Sequence, residues 1–206
     1  LFALEKLGAK IKIKNGYIHA SAKNGLKGSF IKFPSISVGA TENAILAAVS
    51  AKGKTIISNS ATEPEIQDMV LFLQKIGCDI NFIGKRKILI NGVTQFKKAS
   101  HEIIFDRIEL GTYLIAGALV GKKIILNKVN PVIINTEIKI LKKMGVKIKI
   151  EKNRIIVFES KKINSINIKT EAYPGFPTDL QAQIMVLMSK ARGTSKIKEN
   201  IFENRF

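Results

Sequence analysis

Chemistry in this 206-residue sequence concentrates in one stretch, Tyr173-Pro174-Gly175-Phe176-Pro177-Thr178-Asp179-Leu180-Gln181-Ala182-Gln183. Two prolines and a glycine hold the backbone out of helix up to Pro177. Thr178 then fits a helix N-cap, and Gln181, three residues on, completes a Thr-x-x-Gln capping box. Asp179 falls in the first turn, where the positive end of the helix dipole favours a carboxylate. An ionised acid is thus presented at a loop–helix junction, beside free backbone N–H groups. On spacing alone this is also the design of any well-capped helix.

A second stretch, Phe33-Pro34-Ser35-Ile36-Ser37-Val38-Gly39-Ala40-Thr41, lies between a strand and an apolar helix expected from Glu42. Free N–H groups at that helix start, with the hydroxyls of Ser35, Ser37 and Thr41, suit an anion. An ordinary capped turn has the same composition. Arg107, in Asp106-Arg107-Ile108-Glu109, reads from its neighbours as half of a surface ion pair. Arg205 offers a guanidinium fork for anionic oxygens. Glu63 and Glu65 open a helix and suit its dipole. His19 and His101 are isolated in sequence, so neither a metal site nor a Ser–His–Asp set is readable. There is no P-loop and no dinucleotide fingerprint. Cys78 occupies a repeat position filled elsewhere by Ala9 and Val146, so it reads as a small core residue rather than a nucleophile.

The elements that position these residues repeat. Lys6-Leu7-Gly8-Ala9-Lys10-Ile11 recurs at Lys75–Ile80 and Lys143–Ile148, its glycines 69 and then 68 residues apart. Gly53, Gly121 and Gly193 follow the same beat, each closing a helix before a short strand. Every unit opens with an amphipathic helix, as in Ile66, Met69, Val70, Leu73 and Ile76. A hairpin follows, with turns expected at Asn15-Gly16, Gly84-Lys85 and Lys152-Asn153. Then comes a helix that is apolar nearly all round: Ala44–Val49, Tyr113–Val120 and Ile184–Met188. Such helices are expected to be buried on all sides. They fall well short of the roughly 20 residues that span a membrane.

Composition bounds the rest. Hydrophobic residues make up 46% of the chain, which reads as globular, and no signal peptide is expected. One cysteine suits a reducing compartment, so a cytoplasmic location is expected. The net charge of +18 favours anionic partners, yet it is nearly all dispersed lysine, with five arginines, 7% aromatics and no tryptophan. That is thin for a base-stacking surface, so no specific nucleic-acid function is expected. The chain opens on Leu1, inside an apparent helix, and reads as a piece of a longer protein.

Five motifs, in order, resemble one family. They are Ser37-Val38-Gly39-Ala40-Thr41, Glu63-Pro64-Glu65-Ile66, Asp106-Arg107-Ile108-Glu109 with Gly111-Thr112, Phe176-Pro177-Thr178-Asp179-Leu180-Gln181-Ala182-Gln183, and Glu199-Asn200-Ile201-Phe202-Glu203-Asn204-Arg205-Phe206. The family is the UDP-N-acetylglucosamine enolpyruvyl transferases. The resemblance implies an inside-out α/β barrel, helices inside and sheets outside, with residues 1–103 in a first domain and 104–206 in a second. It implies phosphoenolpyruvate and UDP-N-acetylglucosamine as substrates, the first committed step of peptidoglycan synthesis, and neither cofactor nor metal. It makes Asp179 the group beside the sugar 3-hydroxyl. It places Ser35, Ile36, Ser37, Val38 and Gly39 at the nucleotide-sugar diphosphate, joined by Arg107, Ile201 and Arg205 as substrate contacts. Glu63 and Glu65 would lie near the cleft. The family often has lysine where Ser35 stands. The family's loop cysteine, its lysine–asparagine pair and its last arginines fall outside these residues, so this chain alone is expected to be inactive. The shikimate-pathway enolpyruvyl transferase shares the fold and is the nearest rival reading; a non-catalytic binding module is another.

Overall fold

The computed structural model describes residues 1–205; Phe206, the last residue of the fifth motif, lies outside the described residues. The chain forms two compact units, Leu1–Ile104 and a second that begins at Phe105. The first contains α1 (Phe2–Lys6), β1 (Lys10–Lys14), β2 (Tyr17–Ser21), β3 (Phe30–Lys32), α2 (Val38–Ala48), β4 (Lys54–Ser58), α3 (Pro64–Lys75), β5 (Asp79–Gly84) and β6 (Lys87–Asn91). The second contains α4 (Arg107–Val120), β7 (Lys123–Asn127), α5 (Asn135–Lys143), β8 (Lys147–Glu151), β9 (Arg154–Phe158), β10 (Ile163–Asn164), β11 (Asn167–Lys169), α6 (Gln181–Ser189), β12 (Ala191–Arg192) and β13 (Lys196–Lys198). Two 3₁₀ turns, Pro131–Ile134 and Thr178–Leu180, lead into α5 and α6.

The repeat has a backbone cause. Gly8, Gly77 and Gly145 stand at φ of 93°, 98° and 89°, a region that residues with a Cβ enter only under strain. At each, the glycine N–H and the next N–H turn back onto the last helical carbonyls. Gly77 N–H donates to Gln74 O, and Cys78 N–H to Leu73 O. This is a Schellman ending, and it sends the chain straight into the following hairpin. The first hairpin turns on Asn15 and Gly16, both at positive φ, as Asn-Gly turns require. In the second, β5 runs on through Gly84 with a register shift after Phe82, so the turn is Lys85-Arg86, one residue later than expected.

In the first unit β3 and β4 pair in parallel through the crossover helix α2, and β6 and β5 continue the sheet in the order β3-β4-β6-β5. Ile31, Ile57, Ile80, Ile88 and Ile90 all face α2 and α3 and are fully buried or nearly so. Each such side chain contributes roughly 1.5–3 kcal/mol. Cys78 joins this core, and burial pushes its thiol pKa up. In the second unit β7, β9 and β8 form an antiparallel sheet against α4 and α5. Two short parallel ladders, β10 with β12 and β11 with β13, complete it.

Among the described residues no sheet closes on itself, so the barrel is not closed within this chain. One expectation is corrected. The apolar helices are not buried on all sides: Leu46 on α2, Tyr113 and Val120 on α4, and Met185 and Val186 on α6 are exposed. Helices α2 and α4 each lay one face on the sheet of their own unit, while α6 packs against α4.

Gly111 marks a close approach of α4 to the 3₁₀ turn before α6. A methyl there would run into Leu180, which is fully buried and has little room to move. Alanine would improve helix propensity by about 1 kcal/mol, but overpacking costs about 1–3 kcal/mol. Gly111→Ala is therefore expected to destabilise the second unit, read as a lower urea midpoint. An unchanged or higher midpoint would show that the Leu180 contact yields freely.

Candidate active site

The position of Asp179 follows from the parallel register of β11 and β13. Lys169 pairs with Lys198, so the residues one rung further on, Thr170 and Glu199, come together although 29 positions apart. Thr170 N–H donates to Lys198 O, continuing the ladder. The chain then loops out through the Pro174–Pro177 segment and returns. Glu171 N–H donates to Phe176 O, which closes the loop and brings Thr178 to the same carboxylate.

Glu199 is the hub. Its Oε1 accepts from Thr170 Oγ1 at 2.8 Å, Ile201 N–H at 2.7 Å and Phe202 N–H at 3.1 Å. Its Oε2 accepts from Thr178 Oγ1 at 2.8 Å. The two threonine oxygens also accept: Thr170 from Asn200 N–H at 2.9 Å, Thr178 from Arg205 at 2.7 Å. Burial pulls the Glu199 pKa up. The N–H groups of Ile201 and Phe202 and the hydroxyls of Thr178 and Thr170 outweigh it and hold the carboxyl below its usual range.

The expected Thr178/Gln181 capping box is absent. Thr178 opens the 3₁₀ turn and Pro177 holds the cap position with no side-chain bond. The charged carboxylate of Glu199 is the stronger acceptor for the hydroxyl, so Thr178 turns to it rather than to a helix N–H. The Gln181 amide instead contacts Met185 Sδ at 3.0 Å. Asp179 sits in the first turn as expected, with an Oδ1 oxygen 3.6 Å from the Arg205 guanidinium. Its side chain is 59% exposed, whereas Phe176 and Leu180 on either side are buried. Arg205 also stacks over the Phe202 ring, 5.5 Å from its centre. Ile201 lies in the same turn, partly exposed. The turn thus carries a reachable acid beside a cation, a pair that can act on a hydroxyl and its oxygen.

Arg107 is not the surface residue that its sequence neighbours suggest. It is buried at the start of α4, which Asp106 caps by accepting from the N–H groups of Ile108 and Glu109. Its guanidinium lies 5.8 Å from the centre of the Tyr173 ring. It also acts on Glu137 of α5, itself buried. Burial pushes the Glu137 carboxyl up; its own backbone N–H and the Arg107 charge pull the other way. Thr136, its neighbour, donates to Pro174 O at 2.6 Å. Arg107 therefore braces the front of the loop that Glu199 holds from behind.

In the first unit, helix α2 begins at Val38, earlier than the Glu42 start expected. Ser37 is its N-cap and accepts from Ala40 N–H at 3.3 Å. Ser35, Ser37 and Gly39 are exposed, with Ile36 and Val38 half-buried. Thr41 does not join them. It falls inside the first turn, fully buried, donating to Ser37 O and accepting from Ala61 N–H. Its hydroxyl is committed to the fold rather than to an anion. Glu63 is buried at the start of α3 and accepts from Thr62 N–H. His101 is not isolated in space: it pairs with Asp68 at 3.0 Å and packs on Phe72. Of the residues missed from sequence, Glu199 is the chief one. It stands in a motif already singled out, and its bonds to Ile201 and Phe202 are local, but its threonine partners are 21 and 29 positions away, so no local pattern reveals its link to the Asp179 turn.

The same architecture occurs in solved structures. The enolpyruvyl transferase NikO from Streptomyces tendae superposes with a TM-score of 0.89 at 22% identity, covering 99% of this chain and 51% of that one. An EPSP synthase from Acinetobacter baumannii gives 0.67 at 20% identity, covering 95% of this chain and 46% of that one. These likenesses show the fold. In sequence, the chain is 58% identical over its whole length to the UDP-N-acetylglucosamine 1-carboxyvinyltransferase of Pelagibacter ubique and 53% identical to that of Endomicrobium trichonymphae. It spans about half the length of these curated relatives, 49% of each. The profile of the family described as EPSP synthase (3-phosphoshikimate 1-carboxyvinyltransferase) matches residues 1–206, so the whole chain, the Asp179 turn included, belongs to that family.

Proposed function

We propose that the protein carrying this chain transfers the enolpyruvyl group of phosphoenolpyruvate to the 3-hydroxyl of UDP-N-acetylglucosamine, releasing phosphate. The observation that carries this reading is the exposed Asp179 carboxylate beside Arg205, on a turn that the hydrogen bonds of Glu199 fix. The names of the relatives at 58% and 53% identity support the choice of acceptor sugar. This is the first committed step of peptidoglycan synthesis, and through the wall it bears on cell shape and division. A single cysteine suits the cytoplasm, where we place the reaction.

The chemistry is addition followed by elimination. A proton goes to the methylene carbon of phosphoenolpyruvate, and the sugar oxygen bonds to the neighbouring carbon. Asp179 takes the hydroxyl proton as that bond forms. A proton then leaves the new methyl group, the carbon–oxygen bond to phosphate breaks, and the enol ether remains on the sugar. Arg205 offers N–H donors to anionic oxygens of the bound species. We assign the Ser35–Gly39 segment to the diphosphate region, through exposed hydroxyls and the α2 start. Ile201 packs against the nucleotide-sugar. Arg107, buried against Tyr173, shapes the loop and through it the anion contacts. The reaction needs no cofactor, metal, nucleic acid or membrane.

In the full-length protein, Asp179→Asn should lower turnover by roughly 10²–10⁴-fold with little loss of stability. Near-parent turnover with unchanged substrate binding would sink the proton-acceptor role. Phosphate release should depend on UDP-N-acetylglucosamine; dependence on shikimate 3-phosphate instead would favour the rival acceptor. The +18 charge leads us to expect weak, sequence-independent nucleic-acid binding that disappears steeply with salt. A salt-resistant, sequence-selective complex in a filter-binding assay would contradict that.

A further inference from the structure

We propose that Glu199 is a positioning residue for this reaction: its carboxylate orients the Thr178 hydroxyl, and through it sets Asp179 against Arg205. The inference rests on the function proposed above. It goes beyond it by naming a residue that never touches the reacting atoms.

Hydrogen-bond polarity sets the geometry of the turn. An ionised carboxylate only accepts. Glu199 takes four donors: the hydroxyls of Thr170 and Thr178 and the N–H groups of Ile201 and Phe202. Because Thr178 must donate to Glu199, its oxygen lone pairs face away and accept from Arg205 at 2.7 Å. That guanidinium then stands 3.6 Å from Asp179. The exposed Asp179–Arg205 pair is weak, being screened by solvent, and does not hold its own geometry. The relay through Thr178 does. Thr170 repeats the pattern on the other oxygen, donating to Glu199 and accepting from Asn200 N–H. One acid thus fixes both the turn bearing Ile201 and Arg205 and the turn bearing Asp179.

Glutamine in this place has the same shape and the wrong polarity. Its amide oxygen still accepts from the Ile201 and Phe202 N–H groups. Its NH₂ must face Thr178 Oγ1, where it competes with Arg205 for the same lone pairs. In the full-length protein, Glu199→Gln is expected to lower kcat roughly 10²-fold, the scale of a small misplacement of a reacting group. In an Asp179→Asn background the same change should cost under about 3-fold, because it acts through a group already lost. An equal factor in both backgrounds, or no effect in the first, would overturn the proposal. Thr178→Ser should retain activity and Thr178→Val should lose it as Glu199→Gln does; this pair decides the matter if Glu199→Gln fails to fold.

Hydrogen exchange reads the same hold without reference to turnover. The amides of Ile201 and Phe202 should lose protection about 10-fold or more in Glu199→Gln, and unchanged protection would contradict the hub. The sign with pH follows from the low pKa of Glu199. Its contribution is complete above the ordinary carboxylate value of 4.5 and is lost as pH falls through the lower folded value. Protection at these two amides should therefore persist from neutral pH to about 4.5 and drop below it. If the parent protein shows no enolpyruvyl transfer, the functional reading fails while the exchange data still decide whether Glu199 holds the turn. If the parent turns over and the two backgrounds respond alike, the positioning role fails alone.

Discussion

A carboxylate in partial burial must satisfy its lone pairs, and Glu199 does so by drawing donors from segments that are distant in the chain. Thr170 follows one parallel strand, Thr178 opens the turn before α6, and Ile201 and Phe202 follow the partner strand. Remove the negative charge and these elements keep their hydrophobic anchors, Phe176 and Leu180, yet lose the contact that sets their mutual orientation. The distinction separates stability from function. The apolar anchors hold the turn in place, whereas the hydrogen bonds decide which way its polar groups point.

The front of the loop obeys the same logic with different chemistry. Arg107 is buried, so its charge needs compensation, and Glu137 and the face of Tyr173 supply it. Thr136 adds a neutral hydrogen bond to Pro174 O. Among the described residues Asp179 has Arg205 as a weak, exposed ionic neighbour. That is the arrangement expected of a working group: rigid supports beneath, and little that a substrate would have to displace.

What was legible in the sequence was local. The glycines at 8, 77 and 145 announce helix ends because only glycine sits easily at their φ, and the helix–hairpin repeat follows from them. Asn15-Gly16 specifies its turn for the same reason. The motifs around Asp179 and Arg205 are legible as motifs, and the structure brings Asp179, Ile201 and Arg205 into one region. The misreadings share a cause. Thr178 looked like a cap because the competing acceptor lies 21 residues away. Arg107 looked exposed because its partners Tyr173 and Glu137 are not its sequence neighbours. Thr41 looked like an anion ligand until the earlier start of α2 turned it inward. The apolar helices looked buried all round, but hydrophobicity states a preference and does not say which layer satisfies it. In each case tertiary contacts reassigned a side chain whose local context was ambiguous.

The central claim is that Asp179 receives the proton of the sugar 3-hydroxyl from a turn that Glu199 has already oriented. The most direct measurement is a crystal structure of the full-length protein with UDP-N-acetylglucosamine bound. The account predicts an Asp179 carboxylate oxygen about 2.6–3.2 Å from the 3-hydroxyl oxygen, with Thr178 still bridging Glu199 and Arg205. A 3-hydroxyl that lies beyond hydrogen-bond reach of Asp179, even through one water, or a bound state in which Thr178 has left Glu199, would contradict it.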